Sequence, residues 1–376
     1  MPRRPTYVLI ATPLGEGGMG GIDRIMDEVR KIARLMPLEY VSISFGATRG
    51  QGSIALSPFY LAWFLVRMAL LKALGKIDVL HINLSSHGST RRKIIVARWS
   101  AILRIPYIVH LHGSRFRRFW NESTPSVASA IVEMFASASR IVVLGNIWKS
   151  FVAEKVPDTI NRIVIIPNAT PTPRLSHVED ETGRLRILFL GRVGARKGVP
   201  QLVEALSMLP KNDNWRATIA GDGDVEEMRQ EIERRGLSDL VALPGWVGPD
   251  DVAKLLAESD VLVLPSFDEN LPMSVIEGMA AGLAVIATPV GAVEDIIIDR
   301  ETGLLVPTGD SKAIAASIQF LLDQPQAREA LGEKARRLHR ERLEIGMYFA
   351  ELIDLWTGEK FGHNNFRRPY GDQNGL

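Results

Sequence analysis

Short apolar runs alternate with amphipathic stretches along most of the chain. Residues 6–11 (TYVLIA) form an aliphatic run that ends in the turn-rich TPLGEGGMGG, after which IDRIMDEVRKIARLM places apolar side chains at helical spacing. This predicts a strand, a glycine loop and a helix. Further β-like runs follow at 40–45, 77–82, 106–111, 140–144 and 162–166, with helical stretches between several of them. Alternation of this kind predicts a parallel sheet joined by crossover helices. A proline-rich, polar stretch interrupts it, and the alternation then restarts, with strands at 186–191, 215–221, 241–245, 260–266, 284–288 and 304–307.

The pattern predicts an α/β protein of two Rossmann-like, doubly wound domains. The expected boundaries are 1–168 for the first domain, 169–184 for a linker and 185–340 for the second domain. Residues 341–360 are expected to form a helix packing back on the first domain, and 361–376 a disordered tail. A chain of 376 residues with 46% hydrophobic content is long enough for two cores.

Charge changes the picture more than composition does. The net charge is only +2, but residues 1–170 carry 22 Lys and Arg against 10 Asp and Glu, while the rest carries 23 against 33. The first half is thus +12 and the second −10. A basic half of this kind commonly meets phosphates, an anionic membrane or nucleic acid. The most apolar stretch, 58–74, is cut by Arg67 and Lys72 into runs too short to span a bilayer, and a core helix on the first sheet is favoured over lipid contact for it. There is no cysteine, which removes disulfides, thiol nucleophiles and cysteine-rich zinc sites and fits a reducing cytosol. The start, MPRRPTYVLI, lacks the longer apolar region of a secretory signal, so no export is expected.

Ligands of open α/β sheets bind beyond the carboxyl ends of strands. GEGGMGG at 15–21 is one such loop, although its spacing fits the dinucleotide fingerprint poorly. GRVGARKG at 191–198 is another, and its Arg192 and Lys197 suit a diphosphate. In SFDENLPMSVIEGMAAG (266–282), Glu269 falls in a loop after a strand and Glu277 two helical turns on. The free N–H groups near Met273 and Ser274 would face a phosphate, Glu277 could accept from ribose hydroxyls and Glu269 would reach a sugar hydroxyl. Asp222 and Asp224 in AGDGD (220–224) could bind a divalent metal or simply form a strand-to-helix turn and cap; the turn is preferred.

In the order and spacing of GRVGARKG, the pair Glu269 and Glu277, AGDGD and TPVGAVEDII…TGLLV (288–306), the chain resembles family 4 of the glycosyltransferases, from about residue 6 to 357. The resemblance implies the GT-B fold, with two domains facing a central cleft, and retaining transfer from a UDP- or GDP-linked sugar with no metal cofactor. It implies donor-binding roles for Gly17, Gly18, Arg192, Lys197, Val247, Asn270, Met273, Ser274 and Glu277. His112 in VHLHG and Glu269 would be the catalytic residues, with His110 a core or supporting histidine. Residues 81–120 further resemble the branch that builds bacterial exopolysaccharide or capsule repeat units on a lipid carrier, which implies an acceptor site at Ser89, Arg92, Lys93, Arg115 and Arg118. The expected partners are a nucleotide sugar, a lipid-linked or oligosaccharide acceptor and the anionic inner face of the cytoplasmic membrane, with no nucleic acid.

Three other readings compete. A sugar-nucleotide 2-epimerase could share the fold but would act on donor alone. A nicotinamide dehydrogenase would need an acidic residue about 20 positions beyond the first glycine loop, where only Glu39 is a candidate. A non-catalytic nucleotide-binding module would explain the basic half but not the paired glutamates.

Overall fold

A computed structural model describes residues 4–18, 20–35, 38–178 and 182–359. Among these, two compact units separate, one of the described residues within 4–169 and 345–359 and the other of those within 170–344. The first is built from β1 (Thr6–Thr12), α1 (Gly21–Leu35), β2 (Val41–Ala47), α2 (Ser57–Ala73), β3 (Val79–Leu84), α3 (Gly88–Ile102), β4 (Tyr107–Leu111), α4 (Phe116–Asn121), α5 (Pro125–Ala136), β5 (Arg140–Val143), α6 (Asn146–Lys155) and β6 (Ile163–Ile165). All its strand pairs are parallel, in the order β2-β1-β3-β4-β5-β6. β1, β3 and β4 are buried nearly throughout, as expected of parallel strands covered on both faces.

The second unit contains β7 (Leu185–Leu190), α7 (Val199–Met208), β8 (Trp215–Ala220), α8 (Val225–Arg234), β9 (Val241–Gly245), α9 (Pro249–Ala257), β10 (Val261–Leu264), α10 (Met273–Ala281), β11 (Ala284–Ala287), β12 (Leu304–Leu305), α11 (Ser311–Asp323) and α12 (Pro325–Leu338). Its sheet runs β12-β11-β10-β7-β8-β9. Counted from β7, this is the doubly wound order 3-2-1-4-5-6 read in reverse, so strand order switches direction between β7 and β10. A crevice forms at such a switch because the two flanking crossover connections leave toward opposite faces of the sheet.

The stretch 169–184, expected to be a linker, is fastened to the second unit: Thr170 N–H donates to Leu343 O at 3.1 Å and Val178 N–H to Ala257 O at 2.9 Å. Residues 179–181 of that stretch, and the tail beyond 359, lie outside the described residues. The last helix, α13 (Ile345–Thr357), belongs to the first unit and packs on α1 and β1.

α2 meets the expectation of a core helix on one face only. Its inward stripe, Phe64 and Met68, is buried, but Phe59, Trp63, Val66, Leu70 and Leu74 stand open to solvent. Their spacing of three and four residues puts them on one face. The helix is therefore apolar on its covered side and on its exposed side. Ile54–Ala73 is also, among the described residues, the one helical stretch long and apolar enough to cross a membrane. Arg67 donates to Phe45 O and Trp99 Nε1 to Leu65 O at 3.0 Å, which hold the helix along the domain surface.

Candidate functional site

In the second unit, the predicted donor residues follow the carboxyl ends of three strands: Arg192 and Lys197 after β7, Val247 after β9, and Asn270 after β10, with Met273, Ser274 and Glu277 on α10. Gly198 closes the first loop in the left-handed conformation at φ 72°, and a side chain there would meet Pro265 O at 2.0 Å. This close approach joins the two loops of the switch point. Phe267 N–H donates to Arg196 O at 2.9 Å and Arg196 Nη1 to Asp268 O at 2.8 Å. Across this junction Lys197 Nζ bonds Glu269 Oε1, which also accepts from Ser266 Oγ at 2.8 Å. Lys197 and Glu269 are both largely shielded, so the pair interacts in a less screened medium than surface ions do.

AGDGD has a backbone role. A side chain on Gly221 would meet Gly191 O at 1.7 Å, Val193 N–H donates to Asp222 O at 2.6 Å and Asp224 N–H to Val193 O at 3.0 Å. Asp222 is exposed and lies 3.9 Å from Arg192, itself exposed, while Asp224 occupies the residue before α8. Asn270 O, on the far side of the crevice, accepts from Ala292 N–H at 2.6 Å, which fixes the loop after β11.

α10 opens behind Pro272, with no side chain capping its first turn. Its leading N–H groups are thus available to an anion. Ser274 is buried, whereas Met273 and Glu277, one turn apart on the same face, are partly open. Val247, in the loop between β9 and α9, is also partly open.

In the first unit, the glycine loop is held from below by Asp23, whose Oδ1 accepts from Leu14 N–H at 3.0 Å and Gly15 N–H at 3.1 Å. Burial raises its pKa, and those two hydrogen bonds oppose the rise. Gly17 N–H donates to Asp27 Oδ2 at 2.9 Å and Gly18 N–H to Gly15 O at 3.3 Å. An anion approaching these two amides would have to displace existing bonds.

Three histidines form a buried row beneath this edge. Trp356 Nε1, which can only donate, bonds His81 Nδ1 at 3.0 Å; His81 Nε2 then carries the proton and faces His110 Nδ1 at 3.2 Å. His110 is thereby assigned its proton on Nε2. The His110 ring lies 4.0 Å from that of His112, whose Nε2 is 2.9 Å from Asn83 Oδ1. Asn83 Nδ2 donates to Ala11 O at 3.4 Å, which turns the amide oxygen toward His112 and makes His112 Nε2 the donor. Burial lowers the pKa of His81 to about 3 and that of His112 to about 3, and pulls His110 well below its ordinary value. All three are neutral across the physiological range. His112 alone of the three keeps an edge open to solvent.

The acceptor residues are not all brought together. Lys93 corrects the expectation made for it: it is fully buried under β1, donating to Ala11 O at 3.3 Å and Thr48 Oγ1 at 2.8 Å. Burial first, then the charge of Arg92, holds its pKa well below the usual lysine range. A lysine with no exposed atoms does not reach an acceptor arriving from solvent. Ser89 Oγ accepts from Ser85 N–H at 3.3 Å, at the start of α3, and Arg92 lies one turn further on. Arg115, the residue before α4, and Arg118, on that helix, are exposed, and Arg118 pairs with Glu122 at 2.8 Å. Asp23, Arg49, Asn83, Ser266 and Trp356 are given no role by the sequence. Two of them had a local cue: Ser266 heads the 266–282 segment, and Asp23 stands at the start of a helix behind a glycine loop.

Residues 175–338 match the family model for glycosyl transferases group 1. The chain is similar to the alpha-D-kanosaminyltransferase of Streptomyces kanamyceticus, at 26% identity over 68% of this chain and 72% of that one. It is also similar to the putative glycosyltransferase EpsD of Bacillus subtilis, at 35% identity over 46% of this chain and 47% of that one. In fold it resembles HepE of Anabaena, solved with UDP, with a TM-score of 0.74 at 16% identity, covering 94% of this chain and 100% of that one. Residues 175–338 are therefore similar to the group 1 glycosyl transferases, and the chain as a whole has the GT-B fold.

Proposed function

We propose that this glycosyltransferase moves a sugar, with retention at the anomeric carbon, from a nucleotide-sugar donor to a lipid-linked glycan acceptor in bacterial surface polysaccharide synthesis. The observation that carries the reading is the Lys197, Glu269 and Ser266 junction at the switch point of the second sheet, with the uncapped start of α10 in the same unit. Lys197, Arg192 and the α10 amides neutralise the diphosphate as its bond to the anomeric carbon breaks and negative charge builds on the leaving group. Glu269 holds the donor sugar, with Asn270 beside it, and Glu277 the ribose. Met273 and Ser274 lend their backbone amides, and Val247 borders the base. In the first unit taken by itself, the same reading gives Gly17 and Gly18 a phosphate-facing role, reached by displacing their present bonds, and the partly open His112 a sugar-facing one. Among the described residues no carboxylate stands out for a double displacement, so attack from the leaving-group face is the preferred course. UDP-linked sugars are the first donors to test, because HepE, of the same fold, was solved with UDP.

Transfer is read as formation of a glycosylated lipid acceptor from each donor of a UDP- and GDP-sugar panel. Product is expected with one donor class and only when acceptor is present; donor isomerised without acceptor would instead favour an epimerase. Cationic side chains and amides supply the phosphate neutralisation in this scheme, so EDTA is expected to leave the rate within about twofold. Loss of activity on chelation, restored by Mg²⁺ or Mn²⁺, would sink that expectation and promote Asp222 and Asp224 to ligands.

The exposed stripe of α2 supports placing the enzyme at the inner membrane face. Phe59 is 73% exposed and Trp63 65%, in a segment, 54–104, that holds eight Lys or Arg and a single acid, Asp78. An aromatic stripe with basic flanks suits the headgroup layer of an anionic leaflet, where each well-placed cation contributes about 1 kcal/mol. Wild-type protein is expected to co-sediment with phosphatidylglycerol vesicles at low salt, and Phe59→Ser/Trp63→Ser to lose at least tenfold in partitioning. Equal partitioning of the two proteins, or a dimer in solution that only the wild type forms, would overturn the docking role.

A further inference from the structure

Arg49 and Arg92 differ from the other arginines near the open edge of the first unit. Arg34 pairs with Glu16, Arg98 with Glu133 and Arg118 with Glu122, but neither Arg49 nor Arg92 has a side-chain partner among the described residues. Both are half-buried, and the Nε of each is enclosed by protein without an acceptor. Arg49 follows β2 in a loop pinned by its own N–H to Pro13 O at 2.9 Å, beside the glycine loop. The Arg92 guanidinium lies against Gly88 at the start of α3, a helix with no acidic residue in its first turn. Lys93, next to Arg92 in the chain, donates to Thr48 Oγ1, next to Arg49, at 2.8 Å, which brings the two arginines to one edge; burial first, and then the Arg49 charge, holds Arg92 below its ordinary pKa. Lys93 adds a third basic group, fully buried.

Like charges drawn partly out of water with no counterion destabilise a fold, and an anion bound between them removes that cost. Planar guanidinium forks match phosphate oxygens in geometry as well as in charge. The same loop also touches the exposed helix, since a side chain on Gly50 would meet the Tyr60 ring at 2.3 Å. Tyr60 adjoins Phe59, the first residue of the exposed apolar stripe.

We propose that Arg49 and Arg92 clamp the diphosphate of a lipid-carried ligand, whose hydrocarbon leaves over Phe59 and Trp63 of α2. The identification of that ligand as the acceptor rests on the glycosyltransfer reading; the site itself is tested by binding alone. Calorimetry on the full chain uses inorganic pyrophosphate and farnesyl diphosphate as probes. Lys197→Ala is the parent, so that the donor cradle contributes little. Farnesyl diphosphate is expected to bind at least tenfold more tightly than pyrophosphate. Arg49→Gln or Arg92→Gln on that parent is expected to weaken both probes at least tenfold, with Arg92→Lys restoring part of the loss. Without ligand, either Gln variant is expected to melt no lower than the parent, because it removes a repulsion; a merely structural arginine would lower the melting temperature. Undiminished pyrophosphate binding in both Gln variants, or lower melting temperatures in both, overturns the clamp. Equal affinity for the two probes overturns the lipid as source and leaves a free diphosphate.

Discussion

Lys197→Ala is expected to lower kcat/KM by about 2–4 kcal/mol, the scale for losing one preorganised electrostatic contact to a developing charge, or roughly 30- to 900-fold. The effect is large because Lys197 is shielded and fixed before substrate arrives. Its Nζ bonds Glu269 Oε1, and Gly198 behind it locks the loop onto Pro265. Removing the ammonium also strips Glu269 of its cation and leaves Ser266 as its remaining side-chain donor. Glu269→Gln is therefore expected to act mainly on turnover, and Glu277→Gln mainly on KM for the donor. Because Lys197 and Glu269 touch, the double variant should fall short of the summed single effects. Steady-state kinetics with the active donor decides the matter: near-wild-type kcat/KM for Lys197→Ala would show that the diphosphate lies elsewhere.

Gly198→Ala is the substitution expected to cost most stability near the site. A left-handed φ of 72° costs an L-residue about 1–2 kcal/mol, and the added methyl would stand 2.0 Å from Pro265 O. The obstacle is backbone, so relief requires the loops after β7 and β10 to part, and they carry the Lys197 and Glu269 junction. A loss of about 3 kcal/mol or more is expected, with donor-induced stabilisation lost as well. Gly183→Ala is the control: its φ is 68° but nothing lies within 4 Å of the added atom, so only the conformational cost remains. Thermal unfolding of the two variants, with and without donor, separates the terms. Equal melting temperatures would mean that the loop yields freely at Pro265.

Both expectations start from GRVGARKG, which stood out in the sequence because glycines and cations between a strand and a helix are a local pattern. Local patterns also marked most strands, since buried parallel strands read as continuous apolar runs. The boundaries were less legible. Residues 169–184 look like a linker because they lack periodicity, yet backbone bonds from Thr170 and Val178 fasten them to the second unit. Such bonds leave no trace in side-chain pattern.

The sequence by itself determined the class of fold, two alternating strand and helix arrays, and the loops most apt for phosphate, because these depend on residues close in the chain. Tertiary structure alone decided which cations face a ligand. Lys93 and Arg92 are neighbours in sequence, but one is spent under β1 on Ala11 O and Thr48 while the other remains unpaired beside Arg49, 43 positions away. It also decided that the apolar helix α2 is covered on one face only, and that His81, His110 and Trp356 share one row of hydrogen bonds. The reason is physical: burial and the pairing of polar groups are set by contacts between distant segments, and a single sequence records which residues can make such contacts without recording which ones meet.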